Sequence, residues 1–150
     1  MDWRASPIEV GPVSRAASAG LLLLRLGFFA ALATTHGVAN ARDLAAGVDF
    51  PDPIGLGSAA SHALVTFAEL VCGALVAIGL VTRPAAAVVA FNFAVAFFVV
   101  HADDSFARGE LAFDYRVAAA GLALAGPGEW SVDGWLDASR RRVVLEAGGS

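Results

Sequence analysis

The stretch that decides the fold runs from Ala85 to Val100 and reads AAAVVAFNFAVAFFVV. Asn92 is its only polar side chain. A helix in a soluble bundle needs a polar stripe that faces water, whereas a membrane helix can be apolar all round. The stretch therefore favours a membrane-embedded helix and disfavours the alternative of a soluble helical bundle.

The rest of the chain shares this bias. Its 150 residues are 57% hydrophobic and 16% charged, with a mean hydropathy of +0.67, whereas soluble domains carry roughly a quarter charged residues. Because about 20 apolar residues cross a bilayer, the sequence predicts transmembrane helices over about 16–38, 59–81, 82–103 and 109–126, with a tail over 127–150. We expect a single all-α domain over 1–150, an integral membrane four-helix bundle with a short amphipathic C-terminal segment.

Several classes of function are disfavoured by composition. A net charge of -4 gives no basic face for nucleic acid. The lone Cys72 cannot form a dithiol pair, so such chemistry would have to come from a partner. No H-x-x-H or H-E-x-x-H spacing occurs, and we predict no metal site.

Arginine placement predicts the orientation. With four crossings, six arginines (Arg4, Arg15, Arg83, Arg140, Arg141 and Arg142) share one side, and only Arg42 and Arg108 lie on the other. The positive-inside rule then puts both termini in the cytoplasm of a bacterial inner membrane protein. A cleaved signal peptide ending near 38–41 is the alternative for the first segment, but Arg25 interrupts the apolar run.

Three polar side chains fall near the middle of predicted helices: Arg25, Glu69 and Asn92. An ionised group at that depth costs at least ~2.5–3.5 kcal/mol, and such groups normally face the bundle interior and pair. We therefore expect Arg25 and Glu69 to be partners. Two interpretations stay open, because the pair could only fix how the helices dock or could form a ligand-binding pocket with Asn92.

Helical spacing extends these faces. His36 follows Arg25 by eleven positions, almost three turns, so the two residues should share a stripe with Phe29 and Leu32, and His36 joins the candidate ligand-binding residues. Four further polar residues are expected in the external half and could converge there: His62, His101, Glu110 and Asp114.

The chain resembles the DoxX family of small four-helix bacterial membrane proteins. The residues that carry the resemblance are Leu24-Arg25-Leu26-Gly27, His36-Gly37, Ala68-Glu69 with Gly73, Gly79-Leu80-Val81-Thr82-Arg83, Glu110 and Gly126-Pro127-Gly128-Glu129-Trp130-Ser131-Val132-Asp133. The resemblance implies an inner-membrane location. It also implies an association with quinone-linked or thiol and oxidative-stress redox systems.

Two functions follow as expectations, with a third behind them. The chain could be a membrane anchor or partner subunit of a redox enzyme, since it contains no redox centre or nucleophile motif of its own. It could instead bind a quinone or another lipophilic ligand as an oxidoreductase subunit. Transport would need a homo-oligomer, because a four-helix monomer leaves little room for a pathway. Expected partners are the lipid bilayer, a soluble or membrane redox protein, and a second copy of the chain.

Overall fold

The computed structural model describes residues 14–148, and their side chains over 14–140. Five helices form in this part of the chain, which contains no strand: α1 (Arg15–Ala45), α2 (Ser58–Ile78), α3 (Thr82–Val100), α4 (Phe106–Ala125) and α5 (Val132–Gly148). Arg4 and the side chains of Arg141 and Arg142, on which the predicted orientation partly depends, lie outside the described residues.

Three of these helices are long and apolar enough to cross a membrane, namely α1, α2 and α3. The sequence predicts four. At 20 residues α4 has the length of a crossing helix. However, its four charged residues, Arg108, Glu110, Asp114 and Arg116, keep it out of this set.

The first helix is longer than predicted. It continues to Ala45, seven residues beyond the expected end at Val38. Polar side chains at Asn40, Arg42 and Asp43 lower the local hydropathy, but the alanines between them are strong helix formers and keep the backbone helical. A fall in hydropathy therefore marks the end of the apolar segment and not the end of the helix.

Successive helices run antiparallel, so the bundle has two ends. We call the end with connections 46–57 and 101–105 the loop end, and the end with connections 79–81 and 126–131 the tail end. The core between them is small and apolar. Its most deeply buried members are Phe29 and Leu32 of α1, Val76 of α2, Ala86 and Val89 of α3, and Ala119 of α4.

Large apolar side chains also cover the outside of the bundle. Leu23, Phe91 and Leu124 are 71%, 67% and 76% exposed. Such a surface suits the hydrocarbon of a bilayer, which removes apolar side chains of this size from water.

Hydrogen bonds from the start of α5 stabilise the tail-end turn between α2 and α3. Val81 adopts φ 43°, which strains a β-branched residue by roughly 1–3 kcal/mol. The Asp133 carboxylate accepts hydrogen bonds from the backbone N–H groups of Val81 and Thr82 and from the Thr82 hydroxyl, each at 2.9 Å. The Asp133 N–H donates to the carbonyl of Gly79 at 2.8 Å. These bonds hold the strained turn and tie α5 to the bundle.

Candidate functional site

Three helices converge on the carboxyl group of Glu69. The Asn40 amide on α1 donates to Glu69 Oε2 at 2.7 Å, and the Asn92 amide on α3 donates to Oε1 at 3.5 Å. The Glu69 side chain lies between them and only 7% of the residue is exposed. An acidic group at this depth is therefore oriented by two neutral amides, and the contact from Asn92 is the weaker of the two.

A glycine lets α1 come close enough to make this arrangement. A Cβ added at Gly37 would lie 2.6 Å from the Cα of Leu70, the residue next to Glu69. The backbones of α1 and α2 touch at this point, as small residues allow in membrane helix pairs. Asn40 lies one turn further along α1 and so reaches the Glu69 carboxyl.

A cavity of about 300 Å³ opens beside Glu69 between α2 and α3. We call it the lateral pocket. Its lining is Pro53, Ile54, Ser61, Leu64, Val65, Phe67, Ala68, Val88, Phe91, Asn92 and Val95. Leu64, Phe67 and Phe91 are half-exposed or more, so the opening lies on the outer, lipid-compatible surface. The Ser61 hydroxyl donates to Asp52 at 2.7 Å, which leaves Asn92 as the polar group that a ligand in the pocket could bind.

Arg25 and Glu69 are not partners, which corrects the sequence expectation. Arg25 Nη2 donates to the carbonyl of Trp130 at 2.5 Å, at the tail end. The level of Glu69 on α1 is set by Gly37, twelve residues after Arg25 and about 18 Å further along the helix. Their positions within the predicted helices suggested equal depth, but most of the offset comes from the register in which α1 packs on α2, with Gly37 against Leu70, and that register cannot be read from position within one helix.

His36 also leaves the face on which the spacing placed it. Arg25, Phe29 and Leu32 are buried together, whereas His36 is exposed and lies edge-on to Tyr115 at 6.3 Å between ring centroids. Two π-helical segments, Arg25–Ala30 and Ala33–Gly37, separate the two ends of the stripe. Because π-turns pair residues five apart, counting in steps of 3.6 residues fails across them.

The four residues expected to form an external cluster do not come together as one site. His62 is buried against Phe50, and its ring stacks on that of Phe50 at 4.3 Å. His101 Nδ1 is 2.9 Å from Asp104 on the other connection, while Glu110 and Asp114 are exposed along α4. Within the part of the chain that is described, no group of three or more His, Cys, Asp or Glu side chains could hold a metal ion.

Two carboxylates at the loop end titrate below their usual range. Hydrogen bonds from the Ser61 hydroxyl and the Gly57 N–H lower the pKa of Asp52. His101 and Arg108 lower the pKa of Asp104 through hydrogen bonds to its carboxylate. Both carboxylates stabilise connections between helices. Asp52 accepts a hydrogen bond from the Gly57 N–H in the turn before α2, and Asp104 accepts one from Arg108 in the first turn of α4.

Sequence reasoning missed Asn40 as a site residue and the tail-end role of Asp133. Asn40 was placed in a connecting loop, and no hydropathy signal could have moved it into the helix. The bonds of Asp133 reach residues about fifty positions earlier in the chain. Spacing along one element cannot reveal a contact between two such distant segments.

Comparison with known proteins gives one match. The sequence profile described as DoxX matches residues 20–102, which is more than half of the chain. The match takes in nearly all of α1 and the whole of α2 and α3 but ends before α4, so Glu110 and residues 126–133 lie outside it. No curated protein and no solved structure matches the chain.

Proposed function

Because this chain belongs to the DoxX family and carries helices able to cross a membrane, we propose that it is the membrane subunit of a quinone-linked redox system. In this proposal it binds a quinone, or a similar lipophilic carbonyl compound, in the lateral pocket. The observation that carries the proposal is an apolar cavity with one available amide, Asn92, backed by the buried carboxyl of Glu69.

The pocket suits such a ligand in size and polarity. A volume of about 300 Å³ is at the lower end of the range for small-molecule sites, which fits one substituted ring. Walls such as Val88 and Phe91 would contact the faces of the ring, and the opening toward lipid would let an apolar tail remain in the bilayer. A bare anion would find no cation among the lining residues.

The Asn92 amide supplies the polar recognition. Its N–H group is 3.5 Å from Glu69, a weak contact that a ligand carbonyl could replace at shorter distance. Glu69 would keep its bond from Asn40 and so remain oriented beside the ligand. Reducing a quinone to a quinol takes up two electrons and two protons, and in this proposal Glu69, which contacts the pocket residue Asn92, exchanges those protons.

The electrons would come from a partner protein. The chain has one cysteine, Cys72, which is 2% exposed in the core, so a dithiol couple has to be supplied from outside. The proposal therefore includes a soluble or membrane redox partner at the bacterial inner membrane. A purely anchoring subunit would need no ligand pocket. A binding experiment therefore separates the two functions, because only the quinone-binding subunit should bind a quinone.

Binding of a short-chain benzoquinone to the purified protein in lipid nanodiscs tests the proposal. The variant Asn92→Leu keeps the apolar volume but removes the amide, and should weaken binding about tenfold, the equivalent of one hydrogen bond. The matched control is Thr34→Val, because the Thr34 hydroxyl bonds only to the Ala30 and Ala31 carbonyls of its own helix. Equal affinity of the parent and Asn92→Leu would exclude the lateral pocket and favour the anchor function.

A further inference from the structure

His62 is a buried imidazole with an unused polar atom. Only 1% of the residue is exposed, and Phe50 covers its ring in a stack at 4.3 Å. Its Nε2 atom has no hydrogen-bond partner among the residues whose side chains are described. Leaving such an atom unpaired is unfavourable, and a buried phenylalanine or leucine would avoid that cost.

His62 stands at the head of a line of polar side chains on one face of α2. Thr66 follows four residues later and Glu69 three after that, within the π-helical segment Phe67–Cys72, and the burial of all three side chains shows that they lie on the inner side of α2. Each is at most 9% exposed. The steps along the axis are about 6 Å and about 4.5 Å. The line therefore leads from the loop end to the carboxyl group beside the lateral pocket.

The groups in this line are of kinds that can accept and release protons. The Thr66 hydroxyl donates to the His62 carbonyl at 2.8 Å, and its oxygen keeps free lone pairs, so Thr66 would pass a proton on only after its hydroxyl rotates away from that carbonyl. An imidazole can take a proton on one nitrogen and release one from the other.

One titratable group of α4, the phenol of Tyr115, lies near Glu69, and the other elements packed around the line supply few competing charges. From the last turns of α1, Asn40 faces Glu69, whereas Arg42 and Asp43 are exposed. From the 46–57 connection, Phe50 covers His62, and the Asp52 carboxylate is taken up by Ser61 and by backbone N–H groups of its own loop.

We propose that His62 and Thr66 form the route by which protons pass between Glu69 and the loop end of the bundle. The inference rests on the proposed function, since a ligand that is reduced or oxidised in the lateral pocket needs its protons exchanged with water. Among the residues whose side chains are described, the tail end offers no such line, because the buried Arg25 cation lies there, bonded to the Trp130 carbonyl. His62 and Thr66 are thus positioning residues that act through Glu69.

Infrared difference spectroscopy after a jump in bulk pH tests this route without any ligand. The Glu69 signal is the carboxyl band that Glu69→Gln removes, and its rate of response reports proton exchange at that group. His62→Gln keeps a polar side chain but cannot relay a proton, and should slow the response on the order of 10²-fold. The control is His101→Gln, which alters the histidine of the other connection and should respond at the parent rate.

Three results would overturn the inference: a parent rate in His62→Gln, equal slowing in His101→Gln, or no response of the Glu69 band in the parent protein. If His62→Gln fails to fold, Thr66→Val decides, because it removes only the hydroxyl and should also slow the response. Benzoquinone binding is measured separately. If the parent binds benzoquinone and His62→Gln leaves the exchange rate unchanged, the proton route alone is rejected. If Asn92→Leu loses binding and His62→Gln slows the exchange, the results support both the proton route and the proposed function.

Discussion

At the scale of single residues, the buried charged side chains Arg25 and Glu69 lie at different levels of the bundle and do not form an ion pair. Arg25 is 1% exposed and bonds to the carbonyl of Trp130, while Glu69 bonds to Asn40 and Asn92. The sequence identifies the unusual residues correctly because charge is rare in such an apolar chain. It cannot identify their partners, since a shift of two or three turns along α1 changes which groups meet.

A double-mutant cycle tests this separation. Arg25→Leu and Glu69→Leu should each destabilise the protein, and the double variant should lose the sum of the two effects, with a coupling energy within about 0.5 kcal/mol of zero. Unfolding free energies measured in detergent by denaturant titration provide the four values. A double variant that is clearly more stable than this sum would show that the two side chains interact after all.

At the scale of elements, the helices follow from hydropathy, but their rotation does not. Residues 25–30, 33–37, 67–72 and 96–100 form π-helical segments inside α1, α2 and α3. Each widens the turn locally and rotates the residues after it. No composition signal marks these segments, so His36 was placed on the buried face of α1 although its side chain is exposed.

The contact between α1 and α2 depends on one glycine. Gly37→Ala should destabilise the protein by about 1–3 kcal/mol, because the new methyl group would meet the backbone of Leu70 and push the helices apart. It should also weaken benzoquinone binding by moving Asn40 away from Glu69. Thermal unfolding and ligand titration of the same sample measure both effects.

The matched control for that change is Gly20→Ala on the same helix. A Cβ at Gly20 meets nothing within 4 Å, and alanine is the better helix former. This variant should be as stable as the parent or slightly more stable. Similar destabilisation of both variants would mean that the loss comes from the helix itself and not from contact with Leu70.

The 46–57 connection should open in acid. Hydrogen bonds in the folded state lower the pKa of Asp52, so its ionised form stabilises the loop at neutral pH, and that contribution is lost as the pH falls through the lowered pKa. Amide hydrogen exchange of residues 50–57, corrected for its intrinsic dependence on pH, should rise in strong acid. In Asp52→Ala these amides should exchange at neutral pH as fast as those of the parent do in strong acid. Asp49→Ala, a change at an exposed position of the same connection, should not have this effect.

At the scale of the whole molecule, the all-helical membrane architecture can be predicted from the sequence, and the candidate site only in part. Glu69 and Asn92 come together as candidate ligand-binding residues, because each interrupts an otherwise apolar helix. The lateral pocket could not be foreseen. It depends on the separation of α2 and α3 and on the position of the 46–57 connection, which are properties of packing and not of spacing.

Accessibility labelling tests the crossing of α4 and the orientation together. Twenty residues of helix span about 30 Å, which equals the hydrocarbon thickness, and α5 is tied to the turn between α2 and α3. Cysteines introduced at Asp49 and Asp103 should react with an impermeant thiol reagent outside intact spheroplasts, and one at Ser139 should not. Native Cys72 is buried and gives the background. Reaction of Ser139→Cys together with Asp103→Cys would contradict a fourth crossing, and the reverse pattern would invert the orientation.

The central claim is that a lipophilic carbonyl ligand binds between α2 and α3 beside Glu69. Photolabelling with a benzoquinone that carries a diazirine tail, followed by mass spectrometry of the modified peptides, tests it most directly. We predict modification concentrated in residues 61–68 and 88–95, reduced by excess unlabelled benzoquinone and reduced again in Asn92→Leu. Modification centred elsewhere, or spread over the exposed apolar surface without competition, would contradict the claim.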